Sequence, residues 1–291
     1  MKKIDGSTRT CGLMGNPIKH TMSPMIHNTL AADMGHNLVY VPLLVEAPLV
    51  EEAVKGAYAL NLLGMNVTVP HKSAVIPFLE EIDELAEKIG AVNTLVRSGK
   101  GYKGYNTDMT GLKRAMESDG ICLEGEKVIL LGAGGAARAV AFLCVHAGAE
   151  AVYLLNRTKE KAEAIAEEVN NAFEKSCIVP MLLEEYDRIP AGKYLAIQGT
   201  SVGLEPDNDS AIIYADAFYE KVHTGYDLIY RPFRTKFMQL VEEHGGKAYN
   251  GMKMLVYQAI QAYELWNDVS VSEAQADRIL QKMKEEMGIN E

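Results

Sequence analysis

The residues Asn66, Thr68 and Lys72 form a pattern that could carry proton-transfer chemistry. The apolar segment around them predicts a strand, and side chains alternate between the two faces of a strand. Asn66 and Thr68 therefore share one face, while Val67 and Val69 point into the core. A proline ends the strand and Lys72 follows, so an ammonium group and two polar groups converge where open α/β sheets bind ligands. The alternative for Lys72 is an ordinary surface lysine.

A second candidate is the carboxylate of Asp108. It follows Asn106 and Thr107 at the start of a predicted helix that carries Met109 and Leu112. Each of the three polar residues can cap that helix, and one cap is enough. Asp108 is therefore either a helix cap or a carboxylate that is free to act in a site.

A glycine-rich turn at residues 132–137 predicts a dinucleotide site. It matches the pattern G-x-G-x-x-A, directly follows a predicted strand over 127–131 and opens a helix, which is the context that gives the pattern its meaning. Gly132 permits the tight turn, and Gly134 lets a pyrophosphate approach the backbone N–H groups of the helix N-terminus. A glycine-rich turn without a ligand is the alternative.

The next predicted strand favours NADP over NAD. An NAD site usually ends this strand with an acidic residue that binds the ribose hydroxyls. Here Leu155 is followed by Asn156, Arg157 and Thr158, with no carboxylate. The planar guanidinium of Arg157 suits a phosphate, and Lys161 lies one helical turn further on. The alternative is that Arg157 is solvated and Thr158 only caps a helix.

Alternating strand-like and helix-like segments predict an α/β fold with mainly parallel sheets. In the first third, Ser23 and Pro24 predict the N-cap and first position of a helix, and Pro42 indicates an edge strand. From residue 127 onward the pattern is that of a Rossmann-type doubly wound sheet, with a helix predicted over 232–244. We place one domain at 1–108 with 251–291 and a dinucleotide-binding domain at 109–250.

Composition excludes several classes of protein. The 291 residues allow about two domains, and 48% apolar with 23% charged residues is typical of globular chains. The net charge of −10 is opposite to that of a general nucleic-acid or membrane-surface binder, so an anionic ligand needs local donors. Four scattered cysteines give no metal site and indicate free thiols. With no signal-peptide pattern or membrane-length apolar run, we expect a cytoplasmic protein.

Several motifs, in one order along nearly the whole chain, resemble the shikimate dehydrogenase family. They lie at residues 15–18, 23–24, 27–28, 66–72, 91–94, 104–108, 132–137, 156–158, 200–203 and 258–259. The resemblance implies an N-terminal α/β substrate domain, a Rossmann-type NADP-binding domain and a cleft between them. It also implies NADPH-dependent reduction of 3-dehydroshikimate to shikimate, as in aromatic amino acid biosynthesis.

The resemblance assigns roles to individual residues. The implied catalytic pair is Lys72 and Asp108. The implied substrate-binding residues are Thr21, Ser23, Asn66, Thr68, Asn93, Tyr230 and Gln258, of which Thr21 and Ser23 bind the substrate carboxylate. The implied cofactor-binding residues are Gly132, Gly134, Gly135, Ala136, Asn156, Arg157, Thr158, Lys161, Thr200 and Gly251.

Four positions depart from the family pattern. Thr21 replaces a common serine, Lys253 stands where glycine is frequent, and Gln198 and Gly199 replace an asparagine and a small residue. Oxidation of quinate or shikimate with NAD or NADP is the nearest alternative function. A folate-linked dehydrogenase and a non-catalytic sensor of a metabolite and NADP are more distant ones. We expect small-molecule partners only, and either a monomer or a homodimer.

Overall fold

The computed structural model describes residues 4–19 and 21–289, and the chain divides into two compact units. One unit contains the chain up to Arg114 and again from Leu255 onward, and the other contains Ala115–Met254. The boundaries expected from the sequence, 108/109 and 250/251, each lie a few residues earlier. Both observed boundaries fall inside helices.

The strands are β1 (Arg9–Gly15), β2 (Leu38–Leu44), β3 (Gly64–Val67), β4 (Glu81–Ile82), β5 (Thr94–Ser98), β6 (Gly101–Tyr105), β7 (Lys127–Leu131), β8 (Ala151–Asn156), β9 (Ile178–Leu182), β10 (Tyr194–Gln198), β11 (Val222–Asp227) and β12 (Lys247–Tyr249). The helices are α1 (Ser23–Asp33), α2 (Val50–Ala59), α3 (Glu84–Ile89), α4 (Thr107–Ser118), α5 (Gly135–His146), α6 (Lys159–Phe173), α7 (Asp216–Tyr219), α8 (Lys236–Glu243), α9 (Met252–Asn267) and α10 (Glu273–Glu286).

The first unit contains a six-stranded sheet in the order β2-β1-β3-β5-β6-β4. Strand β1 runs parallel to both β2 and β3, whereas β5 pairs antiparallel with β3 and with β6. The edge position of β2 confirms the expectation from Pro42. Because β1 and β3 are parallel neighbours, the segments that leave their carboxyl ends lie side by side, and Asn16 N–H donates to the Val69 carbonyl at 3.0 Å.

Helix α9 packs on this sheet through the single tryptophan. Gly64 in β3 has no side chain, and a Cβ atom there would lie 2.0 Å from the Trp266 Nε1 atom. The indole occupies that space and donates its N–H to the Leu95 carbonyl at 2.9 Å. The C-terminal helices therefore complete the core of the first unit.

The second unit contains a six-stranded, fully parallel sheet in the order β12-β11-β10-β7-β8-β9. The chain starts at the central strand β7, builds outward through β8 and β9, and then returns through β10 to the other side. This confirms the doubly wound sheet expected from the sequence. The order reverses between β7 and β10, the place where such sheets bind ligands.

Local expectations at two helix starts were wrong. Helix α1 begins at Ser23 itself, its N-cap is Met22, and no side chain caps it. Helix α8 begins at Lys236 rather than near Pro232, because Thr235 caps it by accepting a hydrogen bond from Met238 N–H at 3.3 Å. Pro24 lies in the first turn of α1, but Ser23 is a helical residue and not the N-cap. Pro232 precedes α8 and does not belong to it.

The expected inward direction of Val69 was also wrong. Strand β3 ends at Val67, which is 2% exposed, whereas Val69 is 64% exposed. The alternation of a strand cannot extend beyond its last paired residue, so it does not apply to Val69. Within residues 4–19 and 21–289, none of the helices combines the length and apolar character needed to cross a membrane.

Candidate functional site

A pocket of about 360 Å³ lies at the carboxyl ends of β1 and β3, and we call it the β3 pocket. All predicted catalytic and substrate-binding residues except Tyr230 line it. Its lining residues are Leu13, Pro17, Ile18, Lys19, Thr21, Ser23, Asn66, Val67, Thr68, Lys72, Asn93, Asp108, Leu255 and Gln258.

Lys72 and Asp108 form an ion pair in the β3 pocket, with 2.6 Å between the Lys72 Nζ and Asp108 Oδ2 atoms. Their side chains are 33% and 21% exposed, so both groups can meet a ligand. Asn106 Oδ1 accepts a hydrogen bond from Met109 N–H at 3.3 Å and thereby caps the start of α4. Asp108 is therefore not needed as a cap, and its carboxylate is available to orient the ammonium group.

Two buried asparagines support the floor of the β3 pocket. Asn66 is 5% exposed; its Oδ1 accepts from the Tyr40 hydroxyl at 2.8 Å, and its Nδ2 donates to Thr94 Oγ1 at 3.0 Å. Asn93 Oδ1 accepts from the Thr107 N–H at 2.7 Å. The amide NH₂ of Asn93 is consequently the part of that side chain that can donate to a ligand, while Asn66 is largely occupied by the protein.

Two hydroxyl groups stand at the start of α1. Thr21 Oγ1 donates to Ser23 Oγ at 3.1 Å and accepts from the Ser23 N–H at 3.2 Å. The Ser23 N–H already donates to Thr21, and Pro24 has no N–H, so the start of α1 acts on an anion mainly through the helix dipole, which favours negative charge there. Lys19, which the sequence analysis missed, adds a positive charge to the same lining. This end of the pocket suits a carboxylate.

A second pocket, of about 560 Å³, lies at the carboxyl ends of the second sheet, and we call it the β7 pocket. All predicted cofactor-binding residues except Gly251 line it, and so does Tyr230. Its lining residues are Gly132, Ala133, Gly134, Gly135, Ala136, Asn156, Arg157, Thr158, Lys161, Gly199, Thr200, Ser201, Val202, Leu204, Ile212, Leu228, Ile229 and Tyr230.

The glycines of the β7 pocket leave room for a phosphate group. Gly132 has a φ of +106°, and a Cβ atom there would lie 2.5 Å from Thr200 Cγ2, so only glycine fits without displacement. A Cβ atom on Gly134 or Gly135 would meet nothing within 4 Å, so the space in front of these backbones is open. Helix α5 begins here with no side-chain cap. Its free N–H groups fit the pyrophosphate of a dinucleotide.

The rim of the β7 pocket beside β8 is cationic. Arg157 and Lys161 line it, and no aspartate or glutamate occurs among the described lining residues. Asn156 Nδ2 donates to the Thr158 carbonyl at 2.8 Å, which shapes the turn. Thr158 occupies the N-cap position of α6, but its side chain makes no capping hydrogen bond, so its hydroxyl can meet a ligand. These donors fit the 2′-phosphate of NADP better than free ribose hydroxyls.

Two buried polar residues that the sequence analysis did not assign as ligands shape the neighbouring loops. Gln198 is fully buried; its Nε2 donates to the Val202 carbonyl at 2.8 Å, and its Oε1 accepts from the Thr200 hydroxyl at 2.7 Å. Asp227 accepts from the Ile229 N–H at 2.9 Å and from the Thr235 hydroxyl at 2.7 Å. Burial raises the pKa of Asp227 to about 7. In the sequence, the only indication of their role is that Gln198 ends β10 and Asp227 ends β11, where parallel sheets bind ligands.

Three residues singled out in the sequence do not line the pocket for which they were considered. Tyr230 lines the β7 pocket and not the β3 pocket, so its substrate role stays a prediction. Gly251 donates its N–H to the Ile229 carbonyl at 3.0 Å, and a Cβ atom there would lie 2.1 Å from Leu228 O, which explains the glycine structurally. Lys253 forms an ion pair with Asp119.

No group of three or more metal-ligating side chains occurs among residues 4–19 and 21–289. The linings of the two pockets offer hydrogen-bond donors, acceptors and charges, together with one Lys–Asp pair suited to moving and orienting a proton.

Comparison with known proteins matches two successive parts of the chain to two family descriptions. Residues 13–95 match the family described as shikimate dehydrogenase substrate binding domain, and residues 114–189 match the family described as shikimate / quinate 5-dehydrogenase. A shikimate dehydrogenase (NADP(+)) from Halothermothrix orenii is 39% identical over 269 residues, which cover 91% of this chain and 93% of the relative.

Two solved structures are similar over almost the whole chain. A shikimate dehydrogenase in complex with NADP+ is 33% identical with a TM-score of 0.85, covering 97% of each chain. The shikimate 5-dehydrogenase of Listeria monocytogenes, in complex with shikimate and NAD, is 28% identical with a TM-score of 0.89, covering 97% of this chain and 99% of that one.

Proposed function

The chain belongs to the shikimate dehydrogenase family, and on that premise we propose that it catalyses the reversible, NADPH-dependent reduction of 3-dehydroshikimate to shikimate. The observation that carries the proposal is the Lys72–Asp108 ion pair in a pocket that also holds hydroxyl and amide donors. An NADP-dependent oxidoreductase acting on a CH–OH group must move one proton for every hydride, and the pair offers a general acid–base group that can do so.

When bound by the residues of the β7 pocket, NADPH would supply the hydride for reduction of the ring carbonyl. The Lys72 ammonium donates a proton to the carbonyl oxygen, so that a C=O group gains one hydride and one proton and becomes CH–OH. Asp108 orients the ammonium and accepts a hydrogen bond from a ring hydroxyl. In the oxidation direction, the neutral amine of Lys72 removes the hydroxyl proton.

The β3 pocket would hold the acidic substrate by matched groups. The Thr21 and Ser23 hydroxyls and the start of α1 bind the carboxylate, which explains how a chain of net charge −10 takes an anion. Thr68 and the amide NH₂ of Asn93 face the ring hydroxyls, with Asn66 holding the floor. Gln258 lines the same pocket from α9.

The β7 pocket would hold NADP. The backbone from Gly132 to Ala136 binds the pyrophosphate, while Asn156, Arg157, Thr158 and Lys161 bind the adenosine side with its 2′-phosphate. Thr200 lines the same pocket. Gly251 lies outside that lining, and its assignment near the cofactor rests on its backbone contacts with Leu228 and Ile229, which line the pocket. We assign substrate binding to 1–108 with 251–291 and nucleotide binding to 109–250. We place the protein in the cytoplasm as a monomer or homodimer.

Use of quinate or of NAD is the second candidate. The family description that matches residues 114–189 includes quinate, and the Listeria monocytogenes structure contains NAD. Steady-state assays of shikimate and quinate, each with NADP+ and NAD+, distinguish these alternative functions. The measured signal is the absorbance of the reduced nicotinamide. The highest kcat/KM with shikimate and NADP+ supports the proposal, and a preference for quinate overturns its substrate assignment. Binding of both ligands without turnover would indicate a sensor.

A further inference from the structure

Helices α4 and α9 approach closely where Gly111 faces the backbone of Gln258. A Cβ atom at position 111 would lie 2.5 Å from Gln258 N, 2.6 Å from its Cα and 2.8 Å from its Cβ. Separations below 3.0 Å are almost never found for real Cβ atoms. The obstacle is mostly backbone, so it cannot be relieved by turning a flexible side chain.

The same two helices carry residues of the β3 pocket. Asp108 lies three positions before Gly111 on α4, which places it one turn away on the same side of the helix. Gln258 lies at the contact itself, and both residues line the β3 pocket. The distance between the helices at Gly111 therefore decides where a carboxylate and an amide stand relative to one ligand.

A neighbouring interaction fixes the helices on the other side of this contact. One turn after Gly111, the Arg114 guanidinium donates to Glu264 Oε2 on α9 at 3.0 Å and to the Val271 carbonyl at 3.1 Å. The same guanidinium lies 5.0 Å from the ring centroid of Tyr257. Because Arg114 ties α4 to α9, the two helices can move apart to admit a side chain at position 111 only by straining these contacts.

We propose that Gly111 is a positioning residue for the reaction: its lack of a side chain sets the α4–α9 separation that places Asp108 and Gln258 in one pocket. The kinetic part of this inference rests on the proposed function. The side-chain amide of Gln258 does not set the α4–α9 separation, because its Nε2 atom donates to the Leu255 carbonyl of its own helix at 2.8 Å.

The test compares Gly111→Ala with Gly56→Ala. Gly56 also lies inside a helix, α2, but a Cβ atom there would meet nothing within 4 Å. Alanine favours a helix over glycine at both sites, so propensity alone predicts two harmless changes. We expect Gly111→Ala to lower kcat/KM for shikimate about 10- to 100-fold, as misplacement by an ångström can do, and Gly56→Ala to keep wild-type kinetics. Wild-type kinetics for Gly111→Ala would overturn the proposal.

A double-mutant cycle separates positioning from general damage. If Gly111 acts by placing Gln258, then the KM effects of Gly111→Ala and Gln258→Ala are less than multiplicative when combined. Fully multiplicative effects, or an equal loss of NADPH affinity, would show a merely structural role. If Gly111→Ala does not fold, adding Arg114→Gln releases α9 so that it can accommodate the methyl group. A KM of this double variant equal to that of Arg114→Gln alone would contradict the proposal.

A crystal structure of Gly111→Ala tests the geometry without any activity. We expect a larger separation of α4 and α9 at Gln258, and an unchanged separation would overturn the inference. If the wild-type protein does not oxidise shikimate, then the proposed function fails, while this structural measurement still decides the role of Gly111.

Discussion

The Lys72 ammonium meets the Asp108 carboxylate at 2.6 Å although the two residues are 36 positions apart in the chain. Lys72 lies in the loop that follows the carboxyl end of β3, and Asp108 lies in the first turn of α4. The Lys72 carbonyl also accepts a hydrogen bond from the Val92 N–H at 2.8 Å, which fixes the backbone of its loop. The pair is therefore held by the sheet on one side and by a capped helix on the other.

Removing the amine should stop proton transfer. We expect Lys72→Ala to lower kcat for shikimate oxidation about 10²- to 10⁴-fold, the usual contribution of a general acid–base group. KM should change little, because the groups assigned to the carboxylate remain. The measurement is the steady-state rate of NADPH formation.

Lys103→Ala is the matched control for this variant. Lys103 belongs to the same unit, its side chain is 32% exposed, and it forms an ion pair with Glu81 at 3.4 Å, but it lies outside the β3 pocket. It should keep wild-type turnover. Comparable kcat values for the two variants would remove Lys72 from the mechanism.

The guanidinium of Arg157 should distinguish the two nicotinamide cofactors. Loss of one charge-assisted contact to a phosphate costs about 1.5–3 kcal/mol, so Arg157→Leu should weaken NADPH binding about 10- to 100-fold. NADH lacks the 2′-phosphate and should bind nearly as before. Fluorescence titration of each reduced cofactor checks this, with Arg188→Leu, which lies outside the β7 pocket, as the control. Equal losses for both cofactors would show that Arg157 does not recognise the 2′-phosphate.

Lys19 should attract the anionic substrate electrostatically. The charge of Lys72 is balanced by Asp108, so the remaining positive charge among the described residues of the β3 pocket belongs to Lys19. An exposed charge pair contributes about 0.2–1 kcal/mol, so Lys19→Gln should raise KM for shikimate up to about five-fold at low salt, with kcat unchanged.

The dependence on salt is the diagnostic measurement for Lys19. Raising ionic strength screens exposed charges, so the difference in KM between wild type and Lys19→Gln should shrink as salt is added. Lys100→Gln, an exposed lysine of the same unit outside this pocket, should show no such difference. A KM difference that is independent of salt would indicate a packing effect.

Burial of Asp227 predicts a pH-dependent stability. Its pKa rises from an ordinary value of 3.8 to about 7 in the folded protein. Between these values the folded state binds more protons than the unfolded state, so the contribution of Asp227 to stability is present below pH 3.8 and is lost as the pH approaches 7.

Asp227→Asn isolates this contribution, because asparagine does not titrate. The free energy of unfolding of the wild type minus that of the variant should fall by up to about 1.4 kcal/mol per pH unit between pH 4 and 7, and stay constant above. Urea unfolding at a series of pH values measures it. A difference that does not change with pH would mean that the carboxyl group keeps its ordinary pKa.

Much of this arrangement was predictable because the relevant signals are local. The strand–glycine turn–helix pattern around Gly132 and the absence of a carboxylate beside Arg157 identified the β7 pocket. The alternation of Asn66 and Thr68, followed by Lys72, identified the β3 pocket. The family resemblance then supplied the more distant partners, and the structure places Asn93 and Gln258 in the same lining.

The remainder depends on tertiary contacts that no local pattern contains. Ser23 looked like an N-cap, but α1 starts one residue earlier than that role requires. Nothing in the sequence around Lys19 separates it from a solvated lysine. The close contact of Gly111 with Gln258 joins residues of two helices. A helical glycine such as Gly56 looks the same in the sequence, although a Cβ atom there would meet nothing within 4 Å.

The use of α9 and α10 to complete the first unit affects the order in which the chain acquires structure during synthesis. The indole of Trp266 fills the space above Gly64, so the core packed on the first sheet stays incomplete until α9 and α10 have left the ribosome. The continuous segment Ala115–Met254 has no such delay. We expect the half that is translated second to become protease-resistant first, in contrast to the usual N-terminal-first order.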